Sequence, residues 1–384
     1  MIRSFLIFVI LLWAIPIALP AQMPVLVEDP EFRQAAQAAI DSLYNRKPEA
    51  AQELLKPWMN DLPDHPLWTL FDAMDYWWVV LTDLFDESHD DELMARMNRA
   101  DSEASELLDR EPDHPDGWII RAVATGYMAR QLSNRNRWLP SIYTARKAQH
   151  AHSRLGEVAP NLVDNLFAEG LKKYYAAYLP EAYPVVRAVS WLLPSGDKEE
   201  GLRLLEITSR EAVFARPEAT YFLGNILLNY EEEYNRAVPY FSELVDRYPD
   251  NSYYRRLQVR ALFHQGAGYL AEQAIRDAVA HWERHSLPDM DVMKEELLYW
   301  SGRIKMRDRQ YQAALEELKE SFELGKSLPN TTNRSLHLLS GYHAGIAAER
   351  LQDRDAARSY YEAILEMDAE QDVRRRARDR LRDL

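Results

Sequence analysis

The chain has 384 residues, 47% hydrophobic and 28% charged, the balance of a folded water-soluble protein and not of a disordered or membrane-embedded one. Its formal net charge of −15 opposes nucleic-acid phosphates, and the lack of any cysteine excludes disulfides, a lipoprotein anchor and thiol catalysis. Only 13 glycines stand against abundant Ala, Leu, Glu, Arg and Gln, so helix is favoured over sheet.

The first 21 residues stand apart. Arg3, the apolar run Phe5 to Leu19 and the stretch Ala18-Leu19-Pro20-Ala21 read as a secretory signal spanning 1–21, cleaved after Ala21. Leu19 stands where a small residue is preferred, so an uncleaved membrane anchor is the competing reading. Residues 22–30 follow as a linker, and 31–384 as one helical repeat domain.

Within that domain an Ala is followed twelve residues later by a Pro at Ala51/Pro63, Ala100/Pro112, Ala148/Pro160 and Ala237/Pro249. Each Pro closes an amphipathic stretch, and the Asp or Asn after it can cap the next helix. Two of these turns are the same tetrapeptide, Pro63-Asp64-His65-Pro66 and Pro112-Asp113-His114-Pro115. The apolar stretch Leu67 to Phe85 contains Asp72, Asp75 and Asp83, which suit a helix packed on both sides and not a membrane span. The acidic cluster Asp83, Asp86, Glu87, Asp90, Asp91 and Glu92 lacks the spacing and central Gly of a calcium loop and reads as a solvated loop. From Ala51 to Ala148 the period is near 48 residues, with the excess placed in long first helices and in loops at 85–92 and 131–142. The stretch 170–205 carries Pro180, Pro184 and Pro194 and reads as an irregular insertion.

A second signature sets an aromatic three residues before a Gly: Phe167/Gly170, Tyr221/Gly224, Phe263/Gly266, Tyr299/Gly302 and Tyr342/Gly345. Ala278, Ala314 and Ala357 follow three of these glycines by twelve residues, and Ala237 follows Gly224 with one residue more. Gly on one helix and Ala on the next allow two antiparallel backbones to approach closely. A large residue four after the Ala (Leu55, Phe241, Leu318, Tyr361) then fills the seam between repeats.

Searches for chemistry return nothing positive. His281 and His285 share a helix face, but Glu283 is out of register for a zinc protease and no third ligand is spaced for a metal; they read as surface or internally satisfied histidines, as do His150 and His152. No nucleophile elbow or phosphate-binding glycine loop occurs. The expectation is no catalysis, no cofactor and no metal. The arginine-rich end (Arg374, Arg375, Arg376, Arg378, Arg380, Arg382), with Val373, Ala377, Leu381 and Leu384 at helical spacing, reads as a solubilising cap on the last repeat.

These residues resemble the tetratricopeptide repeat (TPR), above all in Pro217 to Asn251, where Gly224, Ala237, Phe241 and Pro249 fall in order. The resemblance implies an all-α superhelix, a TPR-like solenoid of about eight helical hairpins. The stretch Leu193-Pro194, Gly196-Asp197 and Gly201-Leu202 is similar to the middle of TPR proteins related to the inclusion-body clearance protein. By the TPR pattern, the residue three before the small Gly and those one and five after it face a concave groove. This names Tyr221, Asn225 and Asn229, then Tyr299, Arg303 and Arg307, then Tyr342, Ile346 and Arg350. The alternative is that these aromatics pack between adjacent hairpins. The expected function is a non-catalytic scaffold of the bacterial cell envelope, periplasmic or surface-associated, that binds a protein or peptide and no nucleic acid. Membrane contact is expected only through an uncleaved signal or the basic C-terminal helix. The rival is a helical solute-binding or transport-associated protein with a cavity near Tyr174, Tyr175, Tyr178, Tyr183 and Trp191.

Overall fold

The computed structural model describes residues 22–187, 195–367 and 371–384; the predicted signal and Trp191 lie outside the described residues. The fold is all-α. Helices α1 (Pro30–Tyr44) and α2 (Pro48–Asp61), α3 (Leu67–Thr82) and α4 (Asp90–Arg110), and α5 (Pro115–Asn134) and α6 (Trp138–Val158) form the first three antiparallel hairpins. The fourth pairs α7 (Asn165–Ala182) with α9 (Lys198–Glu211), α8 (Pro184–Arg187) being a single turn between them. Four more follow: α10 (Arg216–Asn229) with α11 (Tyr234–Arg247), α12 (Ser252–Gln265) with α13 (Gly268–His285), α14 (Met290–Arg307) with α15 (Tyr311–Ser327), and α16 (Ser335–Arg350) with α17 (Arg354–Glu366). The last helix, α18 (Gln371–Asp383), lays Val373 and Ala377 against this stack and pairs Arg380 with Glu349, so the basic end caps the solenoid.

One position explains the hairpins. The fourth residue of six second helices is a buried small one: Ala51, Gly201, Ala237, Ala271, Ala314 and Ala357. This corrects one pairing. Gly266 is not a helix-interior residue; it terminates α12 in the left-handed conformation at φ 86°. The in-phase alanine is Ala271, and the buried Val259, twelve residues before it, holds the place expected for a glycine. The glycines also work differently from the expectation. A methyl group on Gly224, Gly302 or Gly345 would lie 2.9 Å from the ring of Phe241, 2.5 Å from Leu318 and 2.5 Å from the ring of Tyr361. Each glycine thus receives the large side chain of its own hairpin partner, and that side chain does not fill a seam between repeats. Close backbone approach is the rule only in the fourth hairpin, where Gly170 and Gly201 face one another and Gly196 lies against the backbone of Ala176 and Ala177. Gly345→Ala is expected to lower stability by about 1–3 kcal/mol, because overpacking outweighs the helix-propensity gain. A urea melt reads this directly.

Three further expectations change. The long early period comes from both helices of the hairpin: α4 and α6 have 21 residues each against 14 in α11, and the first helix α5 has 20 against 14 in α10. The loop expected at 131–142 shrinks to the short turn between Asn134 and Trp138. Pro180 sits within the last turn of α7, where it removes the helical donor to the Ala176 carbonyl just before the helix ends.

The solenoid winds back onto itself. Asp41 of α1 accepts hydrogen bonds from Arg216 (2.7 Å) and from the hydroxyl of Tyr248 (2.6 Å), and Asn251 donates to the Tyr44 carbonyl at 2.7 Å. Arg256 of α12 donates to the Thr82 carbonyl at 2.7 Å. His281 pairs with Asp250, which also holds Lys47. The acidic loop, expected to be solvated, is part of this closure. Asp90 pairs with Arg135, and Asp83 pairs with Arg334, whose guanidinium also reaches Glu295 of α14 at 2.8 Å. Arg334 is 1% exposed, so the second hairpin is joined to the seventh and the last by a buried ionic clasp.

Burial pushes the Glu295 carboxyl up to about 7, despite Arg334. Burial lowers the imidazole of His337 to about 4, and burial with Arg303, Arg376 and Arg380 nearby lowers that of His343 to about 3. The histidines stay neutral when folded but bind protons when unfolded, so their contribution holds above 6.5 and is lost as pH falls below it. Glu295 acts oppositely between 4.5 and 7. Burial also lowers the imidazoles of His152 and His264, which act in the same direction, so the histidines outweigh Glu295 and stability falls as pH goes from 6.5 to 4.5. Melting temperature is therefore expected to drop over this range, and His343→Gln to flatten the drop.

Candidate functional site

The first four hairpins and α10 enclose a hollow of about 250 Å³. Residues 22–29, expected as a linker, form one edge of it. The amides of Leu26 and Val27 donate to the buried carboxylate of Asp116 at 2.7 and 2.9 Å, and the Met23 amide donates to Glu111 at 2.9 Å. The duplicated tetrapeptides serve this strap in two ways. His65 sits 3.1 Å from Asp116, and His114 lies 3.0 Å from the Met23 carbonyl. The strap's Val27 then faces the hollow.

The walls are almost entirely carbon. Phe32 and Ile40 come from α1, Leu70, Phe71 and Met74 from α3, Ile119 and Val123 from α5, Phe167 and Leu171 from α7, and Phe222 from α10. Gly126 on α5 also lines the hollow, and a methyl group built on it meets no atom within 4 Å. Since glycine costs a helix interior about 1 kcal/mol relative to alanine, the position keeps space open at the expense of stability.

Polar groups gather at one end. Glu218 accepts from the hydroxyls of Tyr44 and Tyr127, both at 2.9 Å, and faces Arg130 at 3.4 Å. The Arg130 guanidinium is sandwiched by rings, 4.9 Å from the centroid of Trp77 and 4.7 Å from that of Tyr221. Burial first, and then the Glu218 carboxylate, push the Tyr44 and Tyr127 hydroxyls well above their ordinary pKa, so both remain donors.

The residues expected in a groove lie on α10, α14 and α16. Tyr221 is buried, its hydroxyl 3.0 Å from that of Tyr253, and it backs the polar end of the hollow through Arg130. Asn225 and Tyr299 line a second, more polar cleft of about 340 Å³ with Arg256, Arg260 and Glu296. Asn229 accepts from Arg260 at 2.9 Å, and Arg303 donates to the Tyr299 hydroxyl at 2.7 Å. Arg307 stacks on Phe263, Tyr342 packs by Tyr361, Ile346 is half-buried beside the last hairpin, and Arg350 is exposed. Tyr174, Tyr175 and Tyr178 of the rival reading pack on one another, Tyr175 and Tyr178 pack on Tyr230, and Tyr183 is exposed. Among the described residues no cluster of three metal-binding side chains occurs.

No family model matches the sequence, and no curated protein matches it. Among solved structures the chain is similar to yeast Tom70, at 11% identity over 93% of this chain and 88% of that one, with a TM-score of 0.42. It is also similar to human IFIT1, in a dimer with PPP-AAAA, at 12% identity over 85% and 80% (TM-score 0.34). The TPR domain of P58(IPK) aligns at 13% identity over 91% and 98% (TM-score 0.23). The TPR-like assignment rests on the hairpins themselves and their small fourth residues.

Proposed function

We propose that this chain is a non-catalytic binding protein of the bacterial cell envelope that holds apolar side chains of a protein or peptide segment in the hollow beside α5. The carbon-walled space kept open by Gly126 carries this reading. Its volume lies below the roughly 300–1,000 Å³ of sites that enclose a whole small molecule. It suits one or two aliphatic or aromatic side chains of a segment that otherwise runs along the surface. The polar end, with Arg130 and Glu218 already paired, offers hydroxyl and guanidinium edges to that segment's backbone. The segment 1–21 supports export.

A tiled array of apolar peptides tests the binding. Peptides retained by the wild type and released by Gly126→Leu support it; peptides retained equally by both place the site elsewhere. Cell fractionation tests the location, and accumulation in the cytosol would contradict export.

A further inference from the structure

The first half of α6 is built to face something other than water. Leu139 is 81% exposed, Tyr143 65%, Trp138 58% and Ile142 53%. Helical spacing sets them in two adjacent rows, each ending in a cation: Trp138, Ile142 and Arg146 in one, Leu139, Tyr143 and Lys147 in the other. The Lys147 ammonium sits 5.1 Å from the Tyr143 ring centroid. Such a cluster of large apolar side chains on one helix face marks an interaction surface.

Charge identifies what covers it. In a chain with 61 acidic residues, positions 117–156 contain none, while the same stretch carries Arg121, Arg130, Arg135, Arg137, Arg146, Lys147 and Arg154. Arg121, Arg130, Arg135 and Arg154 are ion-paired with Asp101, Glu218, Asp90 and Asp113. Arg137, Arg146 and Lys147 are exposed and form no ion pair among the described residues. An acidic protein therefore leaves three cations free beside four exposed apolar side chains. We infer that this face of α6 docks on the anionic surface of a lipid bilayer, with Trp138, Leu139, Ile142 and Tyr143 entering the interfacial layer and Arg137, Arg146 and Lys147 meeting the headgroups. Trp and Tyr favour the interface, and cations beside an apolar face are the signature of a helix lying in it. No described helix is long and apolar enough to cross a membrane, so the contact is peripheral. The overall charge of −15 does not prevent it, because charges beyond about 10 Å are screened at ordinary ionic strength. This surface is separate from the hollow and does not depend on its ligand.

The test uses the chain from Gln22 onward, which holds every helix described above, in co-sedimentation with vesicles. Binding is expected to phosphatidylglycerol–phosphatidylcholine vesicles, to weaken with salt, and to be far lower on phosphatidylcholine alone. Arg137→Gln/Arg146→Gln/Lys147→Gln is expected to weaken it about a hundredfold. Trp138→Ser/Leu139→Ser/Ile142→Ser/Tyr143→Ser is expected to abolish it while leaving the circular-dichroism melt unchanged, since all four side chains are exposed. Equal vesicle binding by wild type and both variants overturns the inference. So does a face-dependent dimer, or a face-dependent protein complex, formed by a chain that ignores vesicles.

Discussion

Arg334→Met should destabilise the protein by about 3–5 kcal/mol, the largest single-residue effect expected outside the core. The guanidinium is buried between Asp83 and Glu295, and its removal strands two carboxyls in a low-dielectric site. Glu295, already pushed up to about 7, can escape by taking a proton. The deficit in a urea melt should therefore grow as pH is raised from 5 to 8. Replacing all three groups, as Asp83→Leu/Glu295→Leu/Arg334→Met, should recover most of the loss, because a buried ion pair often contributes no more than the apolar side chains that could replace it. If the single variant melts like the wild type at pH 8, the clasp carries no stability.

Gly126→Leu should leave the fold at least as stable as before and weaken ligand binding by up to about a hundredfold. A side chain at this position enters a hollow of about 250 Å³ and meets no atom within 4 Å of its first carbon. It gains helix propensity and buries apolar surface while taking the ligand's place. Gly126→Ala, too small to fill the space, should raise the melting temperature slightly and keep binding. The contrast with Gly345→Ala is the internal control: one chemical change has opposite signs at a lined hollow and at a packed ring. Loss of stability in Gly126→Leu would mean that the hollow is already filled by neighbouring side chains in solution.

The hairpins could be read from the chain because their packing has a local rule. A small buried residue recurs at the fourth place of the second helices, so Ala237, Ala314 and Ala357 fall in phase. The rule misled at Gly266, since a glycine that ends a helix and one that accepts a neighbouring ring look alike without the backbone angle. The closure was not legible. Asp83 and Arg334 lie 251 residues apart, and nothing in either neighbourhood distinguishes a buried Arg from a solvated one. The hollow was missed for a related reason: it is an absence shared by the walls of several elements, and its one local sign is Gly126, a helical glycine with no partner in the repeat grammar. Tyr221, which the repeat pattern assigns to a groove, is buried and lies against the Arg130 guanidinium, a contact that no local sequence signal announces. The acid-free run 117–156, by contrast, was present in the sequence and needed only a count of charges along it.

The clasp between α3, α14 and the turn before α16 also changes how the chain must fold. An open array of repeats is held by neighbours alone, so it can grow from any point and tolerate loss of an end unit. Here pairs such as Asp41 with Tyr248 and Asp83 with Arg334 span 207 and 251 residues. Their loop-closure entropy must be spent before they contribute, which raises contact order and slows the final step. Deleting the last hairpin together with Arg334 would remove more than its own contacts: it would also leave Asp83 of the second hairpin and Glu295 of the seventh unpaired, so its loss should be felt well away from that terminus and not as simple fraying.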